Sequence, residues 1–141
     1  MNKKVFIGFI LLAALVVSGL GSCLTNQGPV DTHNSRISLD WDGVYAGTIP
    51  AADGPGIDVR IKLNRDQSFE MTYVYLERSG SPLSWAGSFQ WDNTGSIITL
   101  DVDNNTPKYY KVAENMLIQL DMKGKLIKGK LADNYKLKKV L

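Results

Sequence analysis

A two-residue hydrophobic period that keeps restarting is the strongest constraint on what this chain can fold into. Ile57, Val59, Ile61 and Leu63 alternate with Asp58, Arg60 and Lys62. Successive strand side chains point to opposite faces, so this order describes a strand with one buried and one wet face. The turn Asn64-Arg65-Asp66-Gln67 follows, and then Phe69, Met71, Tyr73 and Tyr75 repeat the pattern between Ser68 and Leu76. Beyond a Ser, Gly and Pro-rich loop at Glu77 to Pro82, it returns with Trp85, Gly87, Phe89 and Trp91. Asp92-Asn93-Thr94-Gly95 is a turn ahead of Ile97 to Val102, and Asp103 to Pro107 turns again before Lys108 to Ala113. Met116 to Leu120, Leu126 to Leu131 and Tyr135 to Val140 read as further strands, and Gly43 to Ile49 opens the series. About eight short strands at hairpin spacing, with no amphipathic helix, predict an all-β fold. A twisted meander of this length closes on itself to remove its edges. The expectation is a small antiparallel up-and-down, lipocalin-like β-barrel over residues 41–141. The strands are too short, and too lacking in an outward apolar band, for a membrane barrel.

The N-terminal end carries a different signal. Lys3 and Lys4 precede the uncharged apolar run Val5 to Val17, which is too short to span a bilayer comfortably. Leu20-Gly21-Ser22-Cys23 then resembles the lipobox of bacterial lipoproteins, and Cys23 is the only cysteine. Exported proteins use cysteines in pairs, so an odd one asks for a separate role. The reading is a lipoprotein signal peptide over residues 1–22, cleavage before Cys23, and acylation of its thiol. One acyl chain holds only marginally, at roughly 0.8 kcal/mol per buried methylene, whereas two or three anchor stably. Residues 23–40 are polar, without strand or helix period, and read as the acylated cysteine and a flexible tether. Leu24, rather than an aspartate, follows the cysteine, which favours the outer membrane. The membrane, reached through this lipid, is the first expected partner.

Charge and inventory exclude several functions. The chain has sixteen Lys and Arg against fourteen Asp and Glu, and losing Lys3 and Lys4 with the leader leaves fourteen of each. A formally neutral domain lacks the basic footprint of a nucleic-acid binder. The single histidine, His33, falls in the tether, so the barrel has none for nucleophilic catalysis or a zinc site. Asp101-Val102-Asp103-Asn104-Asn105 has Thr106 and Val112 where a calcium loop needs glycine and glutamate, and reads as a turn. The expectation is no enzyme, no cofactor and no metal. Trp85, Phe89 and Trp91 with Tyr73 and Tyr75 either pack the barrel or line a cavity for a small apolar ligand. Lysines crowd the C-terminal end from Lys123 to Lys139. They serve either as a solvated face guarding edge strands or as a contact for anionic headgroups.

The segment Trp41-Asp42-Gly43-Val44-Tyr45-Ala46-Gly47-Thr48-Ile49-Pro50-Ala51-Ala52-Asp53-Gly54-Pro55-Gly56-Ile57 resembles the NlpE N-terminal domain family of envelope lipoproteins. That family's pattern is Tyr-x-Gly, then Leu/Ile-Pro-Cys-Ala-Asp-Cys, then Gly-Ile. Leu63, Phe69, Tyr75, Gly87-Ser88-Phe89-Gln90-Trp91, Leu117 to Gly124 and Tyr135-Lys136-Leu137 extend the resemblance to about Trp41 to Lys138. It implies an envelope role: reporting surface contact or lipoprotein stress to a protein partner, with a link to copper tolerance. Ala51 and Gly54 stand where the Cys-x-x-Cys pair would be, so the thiolates that favour copper are missing. Tyr45, Gly47, Pro50, Asp53, Gly54, Gly56 and Ile57 keep the motif as a structural loop. Two alternatives stand beside the sensing role: a lipocalin-like carrier of a small apolar ligand, and a structural or adhesion lipoprotein.

Overall fold

The computed structural model describes residues 33–103 and 106–140. The expected leader and Cys23 lie outside the described residues, as do Asn104 and Asn105. Eight strands form: Gly43–Ile49 (β1), Ile57–Leu63 (β2), Ser68–Tyr75 (β3), Leu83–Trp91 (β4), Ile97–Leu100 (β5), Lys108–Ala113 (β6), Met116–Gln119 (β7) and Lys136–Val140 (β8). Each pairs antiparallel with the next, and β8 returns to β1, giving a closed up-and-down barrel. The two-residue period becomes burial directly: Ile57, Val59, Ile61 and Leu63 are inside, and the charged residues between them are outside. The register sets Val59 opposite both Gly47 and Tyr73, so three inward rows meet at one level.

Side chains occupy the barrel axis. Tyr45, Tyr110, Phe69 and Phe89 are the largest fully enclosed groups, with Ile61, Leu63, Met71 and Leu137 among them. Burying each such aliphatic or aromatic side chain contributes about 1.5–3 kcal/mol relative to exposure. Of the aromatic face predicted for β3 and β4, Tyr73 and Phe89 are in the core, and Tyr75, Trp85 and Trp91 are half-buried against it.

Leu126 to Leu131, read from sequence as a strand, is not one. It belongs to an irregular excursion between β7 and β8, held by one bridge from Leu120 to Leu126 and followed by a 3-10 turn at Ala132–Tyr135. The reason is edge occupancy: Met116, Leu117 and Ile118 already pair with Lys138, Leu137 and Lys136, so β7 has no edge left to offer. Gly124 and Gly129, both at positive φ, break any extended run. The strand expected to reach Val102 likewise stops at Leu100.

The last residues of the expected flexible tether are also folded. Ser35–Ser38 (α1) makes one helical turn, capped by the Asn34 side chain, which accepts from the Ile37 N–H at 3.2 Å. The Arg36 N–H donates to the Gly95 carbonyl at 2.9 Å, and the Ser35 hydroxyl to the Val112 carbonyl at 2.8 Å. Leu39 and Trp41 then pack against the core. Residues 34–41 thus form a strap across one barrel end. Sequence period misses it because its partners lie far along the chain, in the β4–β5 turn and at the end of β6.

Candidate functional site

Tyr45 begins the motif in the barrel wall. It is fully enclosed, and its hydroxyl donates to the Trp41 carbonyl at 2.7 Å, fixing the strap to β1. Burial, with the negative charges of Asp40 and Asp42, pushes its pKa up to about 12. Gly47 follows at the closing seam. A Cβ there would stand 3.1 Å from both Leu137 Cδ2 and the Lys136 carbonyl, so the glycine lets β8 approach β1.

Pro50 to Gly56 then forms a loop on the opposite rim from the strap, exposed over residues 52–55 and with Ala51 packed against the core. Gly56, at φ +145°, leaves no room for a side chain: a Cβ would meet Thr48 Cγ2 at 2.8 Å and the Ile49 carbonyl at 3.0 Å. Its carbonyl accepts from the Leu76 N–H at 3.1 Å, tying this loop to the end of β3, and Ile57 drops into the core. Gly54 takes φ +105°, a conformation in which a cysteine is strained. Asp53, the loop's only titratable group, pairs with Arg78 from the β3–β4 loop, and Arg78 also stacks 5.4 Å over the Tyr75 ring. The loop thus presents a methyl at Ala51, a bare Cα at Gly54 and a carboxylate already engaged by a guanidinium. This donor set does not fit the copper that the family resemblance implies. Among the described residues, no three His, Cys, Asp or Glu side chains gather to hold an ion.

Inside the barrel, the hydroxyls of Tyr73 and Tyr110 face each other without closing a hydrogen bond of normal geometry. Burial raises the pKa of both. Lys108 reaches over the Tyr73 ring at 5.4 Å; burial lowers its pKa, against the pull of Asp103. Among the described residues, the buried residues that carry a polar side-chain group are Tyr45, Tyr73 and Tyr110. A recess of about 500 Å³ lies on the outer wall, across Ala46, Thr48, Asp58, Arg60, Thr72 and Val74. It is on the solvent side of the sheet, away from the packed axis where a lipocalin-like ligand would sit.

The glycines and prolines of Pro50 to Gly56 lie, as a turn reading expects, in the connection between β1 and β2. The sequence reading misses the strap's helical turn, although Asn34 ahead of Ser35 is a helix-capping signal.

The NlpE N-terminal domain family model matches residues 45–130. The lipoprotein NlpE of Escherichia coli K12 is 29% identical over 140 residues, covering 97% of this chain and 57% of that protein. A 17 kDa lipoprotein of Treponema pallidum is 35% identical over 97 residues, covering 62% of each. The chain thus spans about three fifths of the length of these two curated relatives. Among solved structures, a lipoprotein from Shewanella oneidensis superposes with TM-score 0.70 at 43% identity, covering 76% of this chain and 95% of that one. The Cpx pathway activator NlpE from E. coli gives TM-score 0.53 at 23% identity, covering 62% of this chain and 46% of that one, a likeness of fold.

Proposed function

We propose, from the premise that this chain belongs to the NlpE N-terminal domain family of cell-envelope lipoproteins, that it is a non-enzymatic interaction module held at the outer membrane. In this reading residues 1–22 are removed, Cys23 carries the acyl chains, and the barrel of residues 41–141 meets an envelope protein partner. The observation that carries it is the combination of a filled axis with a motif loop stripped of its sulfurs. With its described core side chains enclosed and no thiolate in the motif loop, the barrel acts through its outer surface. The E. coli relative is named for activating the Cpx pathway, and the reading transfers to this chain only the contact with an envelope-stress partner.

The test is an envelope-stress reporter in the native host. Overproducing the wild-type protein raises the reporter, and Cys23→Ser, which cannot be acylated, loses much of that response. A reporter unmoved by either protein, with both confirmed as folded and exported, contradicts the proposal.

A further inference from the structure

Charge is segregated along this chain. From residue 111 onward it has eight lysines against three carboxylates, whereas residues 5–110 have six basic groups against eleven acidic ones. The fold gathers the basic part on one side. In register across the wall, Lys111 faces Ile118 and Ile118 faces Lys136, while Met116 faces Lys138. These side chains point outward, because their neighbours Tyr110, Val112, Leu117 and Leu137 fill the interior. The excursion between β7 and β8 continues the surface with Lys123, Lys125, Lys128 and Lys130.

Among those four lysines stand exposed aliphatic groups: Met122 at 81%, Leu126 at 51% and Leu131 at 54%. Edge protection does not account for the lysines, since β8 pairs with β1 and has no free edge. Two of the three acids in this part of the chain have local partners. Asp121 accepts the backbone N–H groups of Lys123 and Lys125 at 2.8 and 2.9 Å, and Asp133 pairs with Lys136 at 2.6 Å.

We propose that this wall, with the excursion over residues 121–131, docks side-on against an anionic phospholipid bilayer. Protein interfaces enrich aromatic residues and Arg in their centres and deplete Lys. Residues 121–131 contain neither aromatic residues nor Arg. Exposed Met and Leu interleaved with Lys suit the headgroup boundary, where aliphatic tips enter and ammonium groups stay with phosphate. The wall runs the height of the barrel, from the excursion to Val140 beside Val44 at the strap end. Ten residues separate Cys23 from Asn34 and reach at most about 35 Å when extended, ample for a barrel lying on its side. The surface acts independently of the acyl anchor, so it can be tested without one.

The described sheet, strap and core are complete within residues 34–140, so residues 24–141 fold without the leader. This unacylated protein is floated with phosphatidylglycerol vesicles and with neutral phosphatidylcholine vesicles. The expected result is binding to the anionic vesicles only, released as salt shortens the screening length from ~10 Å at 0.1 M to ~3 Å at 1 M. Each lysine near the surface contributes about fivefold. The combined K123Q, K125Q, K128Q and K130Q variant should therefore lose at least roughly tenfold in partitioning. Arg65→Gln, in the β2–β3 turn at the other end of the barrel from the excursion, leaves it unchanged. A melting curve for each variant guards against misfolding. Equal binding to both vesicle types, no binding to phosphatidylglycerol at low salt, or full binding by the four-lysine variant overturns the proposal. Because no anchor or partner enters this assay, its failure is separable from failure of the stress-reporter test.

Discussion

Replacing Tyr45 with Phe probes the join between strap and barrel. The hydroxyl donates to the Trp41 carbonyl at 2.7 Å from a fully enclosed ring. Removing it leaves that carbonyl short of a partner and costs about 1–2 kcal/mol at neutral pH. For a domain of this size, Tm then falls by about 4–8 °C per kcal/mol. The alkaline behaviour is more diagnostic. Burial raises the Tyr45 pKa to about 12, against about 10 in the unfolded chain. A raised folded-state pKa means that the neutral phenol's contribution is whole below pH about 10 and is lost as pH rises through about 12. Two units amount to roughly 3 kcal/mol. Phe cannot ionise, so the variant's deficit should shrink above pH about 10 and reverse by about 12. Tyr73 and Tyr110 are also shifted upward but ionise in both proteins, so their effect cancels in the difference. Urea titrations followed by tryptophan fluorescence across this range measure it. A stability gap that stays constant to pH about 12 would refute the enclosed, neutral Tyr45.

Three further outcomes follow from the same geometry. Gly56→Ala places a Cβ against Thr48 and the Ile49 carbonyl at positive φ and should destabilise by about 2–3 kcal/mol, more than Gly54→Ala, whose nearest neighbour is 4.0 Å away. Equal losses in chemical denaturation would show that space at Gly56 is not limiting. At Asp92, burial works to raise the pKa, but hydrogen bonds from the Ile97 N–H, the Thr94 hydroxyl and the Ser96 N–H outweigh it, leaving the net shift downward. The stability this carboxylate contributes is present above its ordinary value of 3.8 and lost as pH falls through its lower folded value. Asp92→Ala should therefore be less stable at neutral pH by about 1–3 kcal/mol and show a shallower acid slope, and an unchanged slope in acid melts would count against the turn's role. Titrating the purified barrel with Cu(I) should show no stoichiometric site, because Ala51 and Gly54 supply no sulfur; tight one-to-one uptake would contradict that.

The barrel was legible wherever one face is buried and the other wet. β2 and β3 declare themselves through Ile57 to Leu63 and Phe69 to Tyr73, because the pleat converts alternation into burial without help from distant residues, whereas on β4 only Phe89 is fully buried and Trp85 and Trp91 are half-buried. Leu126 to Leu131 looked similar in composition. Whether such a stretch becomes a strand depends on an available edge, and Lys136 to Lys138 had taken it. The docking of the strap was illegible for a related reason: Asn34 packs under Gly95, and Ser35 reaches Val112, contacts between segments far apart in sequence. At the motif loop, the glycines and prolines announced a tight connection, but the pairing of Asp53 with Arg78 needed the fold. Inward aromatics said which way side chains point. They did not say whether space remained between them, and Tyr45, Phe69, Phe89 and Tyr110 close that space.

Intact mass spectrometry of the protein extracted from native envelope membranes reads the lipid anchor itself. The expected species is a chain beginning at Cys23, heavier than its amino-acid mass by a diacylglyceryl group and an amide-linked acyl chain. A chain that keeps residues 1–22, or one that begins elsewhere with an unmodified Cys23, would contradict it.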